Sequence, residues 1–297
     1  MQDSDPILSD APHSVGSALR TGAAVLSRCG IEGAAGDVRR LLAGVLDAPA
    51  AAILREPERL LTDAQLATLS ACIARRAKRE PVSRILGRRD FYGRSFAITP
   101  ATLDPRPESE TLVAAALEIA GEEGWERPRI LDVGTGSGCL LVTLLCELEG
   151  ATGTGSDISA EALAVARDNA QRLGVAQRAS WVTADVLETV GGTFHMLVAN
   201  PPYVRSGEIE RLESEVRNFD PHLALDGGVD GLAVYRRLAA GMVRVVPHGW
   251  VVVEVGYDQA DAVLSIFSGM AQQTRVRLDV AGKRRCVAVK TRDGSHT

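Results

Sequence analysis

Apolar positions recur at helical spacing from Val15 to about Lys78, as in Val38, Leu41, Leu42, Val45 and Leu46. Pro49 and Pro57 punctuate this stretch, and Thr62-Asp63 offers a helix start ahead of Leu66 and Leu69. The pattern predicts a small bundle of helices. Between Pro81 and Pro105 it changes. Phe91-Tyr92-Gly93-Arg94-Ser95-Phe96-Ala97-Ile98 sets aromatic and β-branched residues about a glycine turn, which predicts a short hairpin. Prolines at 100, 105 and 107 follow, as at a joint between two domains.

From about Asp104 onward, strand-like and helix-like segments alternate. Arg129-Ile130-Leu131-Asp132-Val133 reads as a buried strand, followed by a glycine-rich loop and a helix from Leu140 to Leu148. Further strands are predicted at Ser180–Thr183, His195–Ala199, Trp250–Val255 and Cys286–Val289, and helices at Ala160–Leu173, Gly231–Val245 and Gln259–Gly269. Such alternation predicts an α/β domain, a mainly parallel sheet with helices on both faces. The division expected is a disordered lead over 1–14, helices over 15–82, a hairpin linker over 83–103 and the α/β domain over 104–297.

Composition refines this picture. The 297 residues suffice for one large and one small domain, and with aromatics at 4%, Leu, Val, Ile and Ala must fill the core. A formal charge of −5 argues against a nucleic-acid coat or a membrane-surface role. The N-terminal MQDSDPILSDAPHS lacks a basic segment followed by an apolar run, so no signal peptide is expected, and the apolar stretches are too short or interrupted for a membrane span. Five scattered cysteines without a Cys-x-x-Cys or Cys/His cluster read as reduced thiols of a cytoplasmic protein, with no metal site expected.

The first candidate site is Leu131-Asp132-Val133-Gly134-Thr135-Gly136-Ser137-Gly138, which ends a strand and opens a helix. Glycines there permit a tight turn and close approach of a ligand, and helix N–H groups favour negative charge. The G-x-G-x-G spacing, with Asp132 just ahead, resembles class I S-adenosylmethionine methyltransferases; a structural turn or a nicotinamide-dinucleotide loop of altered spacing remains open. About twenty residues on, Asp157 stands where a carboxylate accepts hydrogen bonds from ribose hydroxyls, or else caps the next helix. Its strand, Ala151-Thr152-Gly153-Thr154-Gly155, is poor by propensity and is placed by its position between two helices. Asp185 and Val186 follow the third strand, where this fold class commonly holds adenine.

Asn200-Pro201-Pro202-Tyr203, directly after the strand ending at Ala199, resembles the signature of methyltransferases acting on planar NH2 groups: DNA adenine, certain RNA bases and glutamine amides. An amide nitrogen is a poor nucleophile because its lone pair is delocalised. The Asn200 side-chain oxygen and the Pro201 carbonyl suit the two N–H groups, the prolines pre-set extended backbone, and Tyr203 offers a flat face. A rigid turn ending the strand is the alternative.

With these motifs stand Glu80-Pro81-Val82-Ser83-Arg84-Ile85-Leu86-Gly87, Phe91-Tyr92-Gly93, Pro105-Arg106-Pro107-Glu108-Ser109-Glu110, the stretch from Glu215 to Leu225, Asp230-Gly231-Leu232 and Glu254-x-Gly256-Tyr257-x-Gln259. Together they resemble the release-factor glutamine N5-methyltransferases, the PrmC or HemK family, from about residue 35 to 290. The resemblance implies a Rossmann-like, mostly parallel seven-stranded sheet with a small N-terminal helical domain that recognises substrate. It implies S-adenosyl-L-methionine as cofactor, with S-adenosyl-L-homocysteine as product, held by Gly134, Thr135, Gly136, Ser137, Gly138, Asp157, Asp185, Val186 and Asn200. The substrate implied is the Gly-Gly-Gln glutamine of class 1 peptide-chain release factors, held by Asn200, Pro201, Pro202 and Tyr203, with Asn200 and Pro201 catalytic. The family usually has Glu-Thr-Glu where this chain has Glu108-Ser109-Glu110. A monomer without a stable nucleic-acid partner is expected.

Three alternatives stay open on the sequence: methylation of a ribosomal-protein glutamine, an amino-methyltransferase acting on nucleic acid, and a catalytically silent cofactor-binding module. The second draws on Arg75, Arg76, Lys78, Arg79, Arg84, Arg88, Arg89 and Arg94, though acidic residues balance the chain elsewhere and favour a solvated helix face.

Overall fold

A computed structural model describes residues 13–292, so the expected lead lies outside the described residues up to position 12. Ser14 already belongs to the fold, capping the first helix through its side chain. The chain divides into two compact units. The first runs to Gly87 and takes in Ser214–Phe219; the second comprises Arg88–Glu213 and the chain from Asp220 onward.

The first unit holds α1 (Val15–Arg28), α2 (Ala34–Val45), α3 (Ala50–Ile53), α4 (Asp63–Ala77) and α5 (Val82–Leu86). Thr62 and Gln65 form a reciprocal capping box that starts α4 where the sequence predicts. Val38, Leu41 and Leu42 of α2 meet Leu69 and Ile73 of α4 in a core shared with Leu26 of α1. Beneath them, buried Asp37 accepts from Arg76 Nε at 2.7 Å, and Arg76 also reaches Glu215 at 3.1 Å. Glu215 lies in the short helix that the first unit draws from far along the chain.

The second unit opens with a hairpin, β1 (Arg88–Phe91) and β2 (Arg94–Ala97). Both turn residues, Tyr92 and Gly93, have positive φ, which lets the two-residue turn follow the strand twist. The hairpin belongs wholly to this unit and α5 to the first, so the boundary between the units falls at Gly87, whose left-handed conformation ends α5. Then come α6 (Glu110–Glu122), β3 (Arg129–Val133), α7 (Cys139–Glu147), β4 (Thr152–Asp157), α8 (Ala160–Arg172), β5 (Ala179–Thr183) and β6 (Met196–Ala199). The Ser214–Arg217 helix, α9, follows in the first unit, then α10 (Ala233–Val245), β7 (Trp250–Glu254), α11 (Ala260–Phe267), β8 (Ala271–Leu278) and β9 (Arg284–Thr291). Neither α6 nor β8 is among the elements predicted from the sequence.

The seven strands run in the order β5-β4-β3-β6-β7-β9-β8, the first five mutually parallel and β9 antiparallel to both neighbours. From β3 the chain winds outward through β4 to β5, then returns to lay β6 on the other side of β3. The order therefore reverses between β3 and β6, and a ligand crevice forms at their carboxyl ends. One core face gathers Leu140, Leu141, Leu144 and Trp250, the other Leu197, Val251, Val253 and Tyr235.

The glycines of β4 explain its poor strand propensity. A Cβ on Gly153 would stand 2.4 Å from Leu141 of α7, and one on Gly155 would stand 2.5 Å from the Trp181 ring of β5. Close packing from both sides, not pleat preference, selects the residues here. Gly155→Ala is therefore expected to destabilise the fold by about 1–3 kcal/mol through overpacking. Trp181→Leu in the same chain should recover part of that loss in urea unfolding; strictly additive effects would disprove the clash.

Candidate functional site

Four adjacent parallel strands end at one edge of the sheet and each hands over to a predicted site segment. β3 leads into Gly134–Gly138, β4 ends at Asp157, β5 leads to Asp185 and Val186, and β6 leads to Asn200. Pairing of Val133 with Ala199 puts the glycine loop and Asn200 immediately beyond opposed residues.

Gly134, Gly136 and Gly138 have φ of 70°, 55° and 78°, so a side chain at any of them would be strained. The loop is tied to β4 by hydrogen bonds from the Gly134 and Thr135 amides to the Ser156 carbonyl at 2.8 and 2.9 Å. Asp157 accepts from the Gly136 amide on one oxygen and from the Ser159 amide on the other, both at 2.9 Å. Each oxygen keeps a lone pair for a further donor. Ser159, rather than Asp157, caps α8. Asp185 is ion-paired with Arg237 of α10 at 2.8 Å, and Val186 follows with a positive φ of 55°. Exposed Ile158, next to Asp157, adds an apolar surface.

Asp132 lies fully buried beneath the loop. One oxygen accepts from Thr135 Oγ1 at 2.6 Å and from the Leu141 amide at 3.3 Å; the other has no partner among the described residues. Burial pushes its pKa up to about 7, outweighing the two hydrogen bonds that oppose the rise. Ser137 Oγ is likewise buried and unpartnered.

Across the crevice, the Asn200 side-chain NH2 donates to Ser109 Oγ at 3.2 Å, and Ser109 Oγ donates to Glu254 at 2.5 Å. Tyr203 Oη stands 3.4 Å from the second Glu254 oxygen, and the Tyr235 hydroxyl donates to the Glu254 carbonyl at 2.8 Å. Glu254, at the end of β7, is fully buried, which pushes its pKa up to about 7 against the hydrogen bond from Ser109 and the Arg285 charge. The backbone after Asn200 is held closely. Gln259 Nε2 donates to the Tyr203 carbonyl at 2.9 Å, and a Cβ on Gly231 would fall 2.4 Å from that same oxygen. Asp230-Gly231-Leu232 and Glu254-x-Gly256-Tyr257-x-Gln259 thus serve to build the Pro202-Tyr203 turn. Sequence reasoning quoted Ser109, Glu254 and Gln259 within motifs and assigned them no role; their partners lie far away in the chain. Arg106, also without a role, pairs with buried Asp220 at 2.5 Å inside the second unit.

Residues 17–87 match the PrmC N-terminal domain and residues 111–219 the methyltransferase small domain. A release factor glutamine methyltransferase of Bradyrhizobium diazoefficiens is 42% identical over 282 residues, covering 94% of this chain and 95% of that protein. One of Rhodospirillum rubrum is 43% identical over 280 residues, covering 94% and 85%. The chain belongs to the release factor glutamine methyltransferase family. Among solved structures, the hMettl16 catalytic domain in complex with the MAT2A 3'UTR hairpin 6 overlays with a TM-score of 0.55 at 14% identity, over 81% of this chain and 87% of that one, a likeness of fold.

The enzyme is accordingly an S-adenosylmethionine-dependent methyltransferase. The crevice fits that cofactor: a left-handed glycine loop, two unpartnered buried polar atoms on Asp132 and Ser137, and a carboxylate with spare lone pairs on Asp157.

The raised pKa of Asp132 has a consequence for stability. The folded state keeps this proton up to about pH 7, whereas the unfolded chain releases it near 4. The contribution is fully present below about pH 4 and is lost as pH rises to about 7, on the order of 4 kcal/mol. Asp132→Asn cannot ionise. Its urea midpoint relative to wild type is therefore expected to move in the variant's favour between pH 5 and pH 8; a constant difference would disprove the burial effect.

Proposed function

We propose that this enzyme transfers a methyl group from S-adenosylmethionine to the side-chain amide nitrogen of the glutamine in the Gly-Gly-Gln motif of class 1 peptide-chain release factors. The observation that carries the reading is the Asn200-Pro201-Pro202-Tyr203 turn, held beside the glycine loop with the Asn200 NH2 engaged by Ser109. The Asn200 oxygen is thereby left as an acceptor. The relatives' shared name supports the choice of substrate.

In this reading Gly134–Gly138, Asp157, Asp185, Val186 and Asn200 hold the cofactor. S-adenosylmethionine supplies a methyl group made electrophilic by the adjacent sulfonium. Asn200 Oδ1 and the Pro201 carbonyl accept the two amide hydrogens, fixing the nitrogen in plane and aiming it at the methyl. The proton leaves after transfer, so no strong base is needed and alignment supplies much of the rate, in the range of roughly 7–11 kcal/mol for well-oriented reactants. Tyr203 presents its ring to the planar amide.

The helical unit, with residues 15–82 at its centre, acts as the recognition domain for the protein substrate, and the enzyme works as a cytoplasmic monomer. All five cysteines are free, which supports a reducing compartment. No helix among the described residues is long and apolar enough to cross a membrane. Nucleic acid is disfavoured because the basic segment is largely neutralised: Arg75 pairs with Glu80, Arg76 with Asp37 and Glu215, Arg79 with Glu215, Arg89 with Asp104 and Arg94 with Glu147.

The test is to incubate the protein with S-adenosylmethionine and a class 1 release factor and map the product by mass spectrometry. A gain of one methylene on the Gly-Gly-Gln glutamine is expected. Asn200→Ala should cut kcat about a hundredfold or more while leaving cofactor affinity largely intact. Methylation of a ribosomal-protein glutamine or of adenine instead would replace the substrate named here.

A further inference from the structure

Ser109 ends a 3-10 turn, Pro107–Ser109, that runs into α6, and its helical dihedrals (φ −67°, ψ −15°) do not set its side chain to accept a hydrogen bond from the first turn of that helix. Its side chain makes no such bond. It turns instead between Glu254 Oε2 at 2.5 Å and Asn200 Nδ2 at 3.2 Å, with all three side chains in the second unit. Ser109 is 2% exposed and Glu254 1%, so water does not compete for these bonds.

The chemistry of the three groups gives the chain a direction. An ionised carboxylate only accepts, so the single hydroxyl hydrogen of Ser109 is committed to Glu254. Ser109 Oγ can then offer Asn200 nothing but lone pairs, and Asn200 must face it with NH2. The opposite rotamer would set two acceptors against each other inside the protein, at the cost of an unsatisfied buried group. We infer that Glu254 is a positioning residue for methyl transfer: acting through Ser109, it fixes the side-chain amide of Asn200 so that Oδ1, not Nδ2, faces the substrate nitrogen. Tyr203, on the other Glu254 oxygen, is braced by the same carboxylate. The inference rests on the proposed role of Asn200 as amide acceptor.

Protonation of Glu254 removes the direction. A neutral carboxyl can donate to Ser109, which frees the hydroxyl hydrogen to meet Asn200 in its flipped orientation. The groups facing Glu254 are Glu108 and Ser109 ahead of α6, Tyr203 after β6, Tyr235 on α10, Arg285 and Cys286 on β9 and Cys139 at the start of α7. Burial pushes the two tyrosines and two cysteines upward, Cys139 to about 12, so none of these four loses a proton near neutrality. Glu254 itself titrates at about 7, and the aligned form is the ionised one. Turnover should therefore rise with pH through that value and level off above it.

The test compares wild type with Glu254→Gln, Ser109→Ala and Ser109→Thr in the full-length enzyme. Glu254→Gln should lower kcat about tenfold to a hundredfold at pH 8, with the KM for S-adenosylmethionine and the calorimetric affinity for S-adenosylhomocysteine within about threefold of wild type. Its acid limb should vanish. Asp132 titrates in the same range, and a limb that persists in Glu254→Gln belongs to Asp132 and overturns the inference. Ser109→Ala should lose a similar factor and Ser109→Thr, which keeps the hydroxyl, should recover most of it; wild-type turnover in Ser109→Ala overturns the inference even where Glu254→Gln fails to fold. A substrate-free measurement separates this idea from the proposed function. The Asn200 side-chain amide signals in nitrogen-15 NMR of the ligand-free enzyme should shift with a midpoint near pH 7 in wild type and stay flat in Glu254→Gln. If the release-factor reading alone is wrong, wild type leaves the release factor unmodified while those signals still titrate. Signals that do not titrate in wild type overturn the inference.

Discussion

The parallel register between β3 and β6 is the constraint from which the site follows. Hydrogen bonding of these two strands sets Val133 opposite Ala199, so the chain leaves the sheet twice at the same edge, side by side. One exit becomes the glycine loop and the other the Asn-Pro-Pro-Tyr turn. Strand order reverses between these two strands, and a crevice opens at that point. Residues 66 positions apart are juxtaposed by backbone geometry alone, before any side chain contributes.

Side chains then sharpen what the backbone sets. Two carboxylates, Asp132 and Glu254, sit buried at the ends of β3 and β7. Each is expensive to ionise there, and each is partly compensated by a hydroxyl that donates to it: Thr135 for Asp132 and Ser109 for Glu254. Thr135 belongs to the glycine loop and Ser109 contacts Asn200, so both hydroxyls pass the position of a rigid strand end to a segment of the site. In an interior of low effective dielectric such bonds are strong and their loss is costly, which suits groups that must not wander.

How much of this was legible in the sequence depends on the separation between partners. Local signals read correctly: the strand-to-helix glycine loop, the glycine turn of the hairpin and the helix start at Thr62 each depend on residues within a few positions of one another. β4 was placed only by counting elements, because Gly153 and Gly155 are chosen by Leu141 and Trp181, which press on them from other elements. α6 and β8 went unpredicted. Buried Leu112, Val113, Ala115, Ala116, Ile119 and Ala120 make α6 apolar over most of its girth, which blurs the helical period. β8 is an edge strand whose Gln272, Gln273 and Thr274 face water, so its composition resembles a loop. The pairing of Arg76 with Glu215 spans 139 positions and that of Ser109 with Glu254 spans 145, and nothing in either neighbourhood announces the other.

The entry to α6 illustrates how such long-range contacts use a side chain that has no local bond to make. A capping serine is typically worth about 1 kcal/mol to its helix, but it caps from an extended backbone, and Ser109 has helical dihedrals. The start of α6 is secured in other ways: Pro107 pre-sets the turn ahead of it, and Glu110 in its first turn suits the helix dipole while accepting from the Tyr92 amide at 2.8 Å. The hydroxyl is thereby released for Glu254 and Asn200. A threonine, as the family usually carries here, would supply the same hydroxyl, whereas most other residue types would satisfy neither partner. A polar side chain whose bonds are buried and distant is held there by what it orients, and here that is the amide of Asn200.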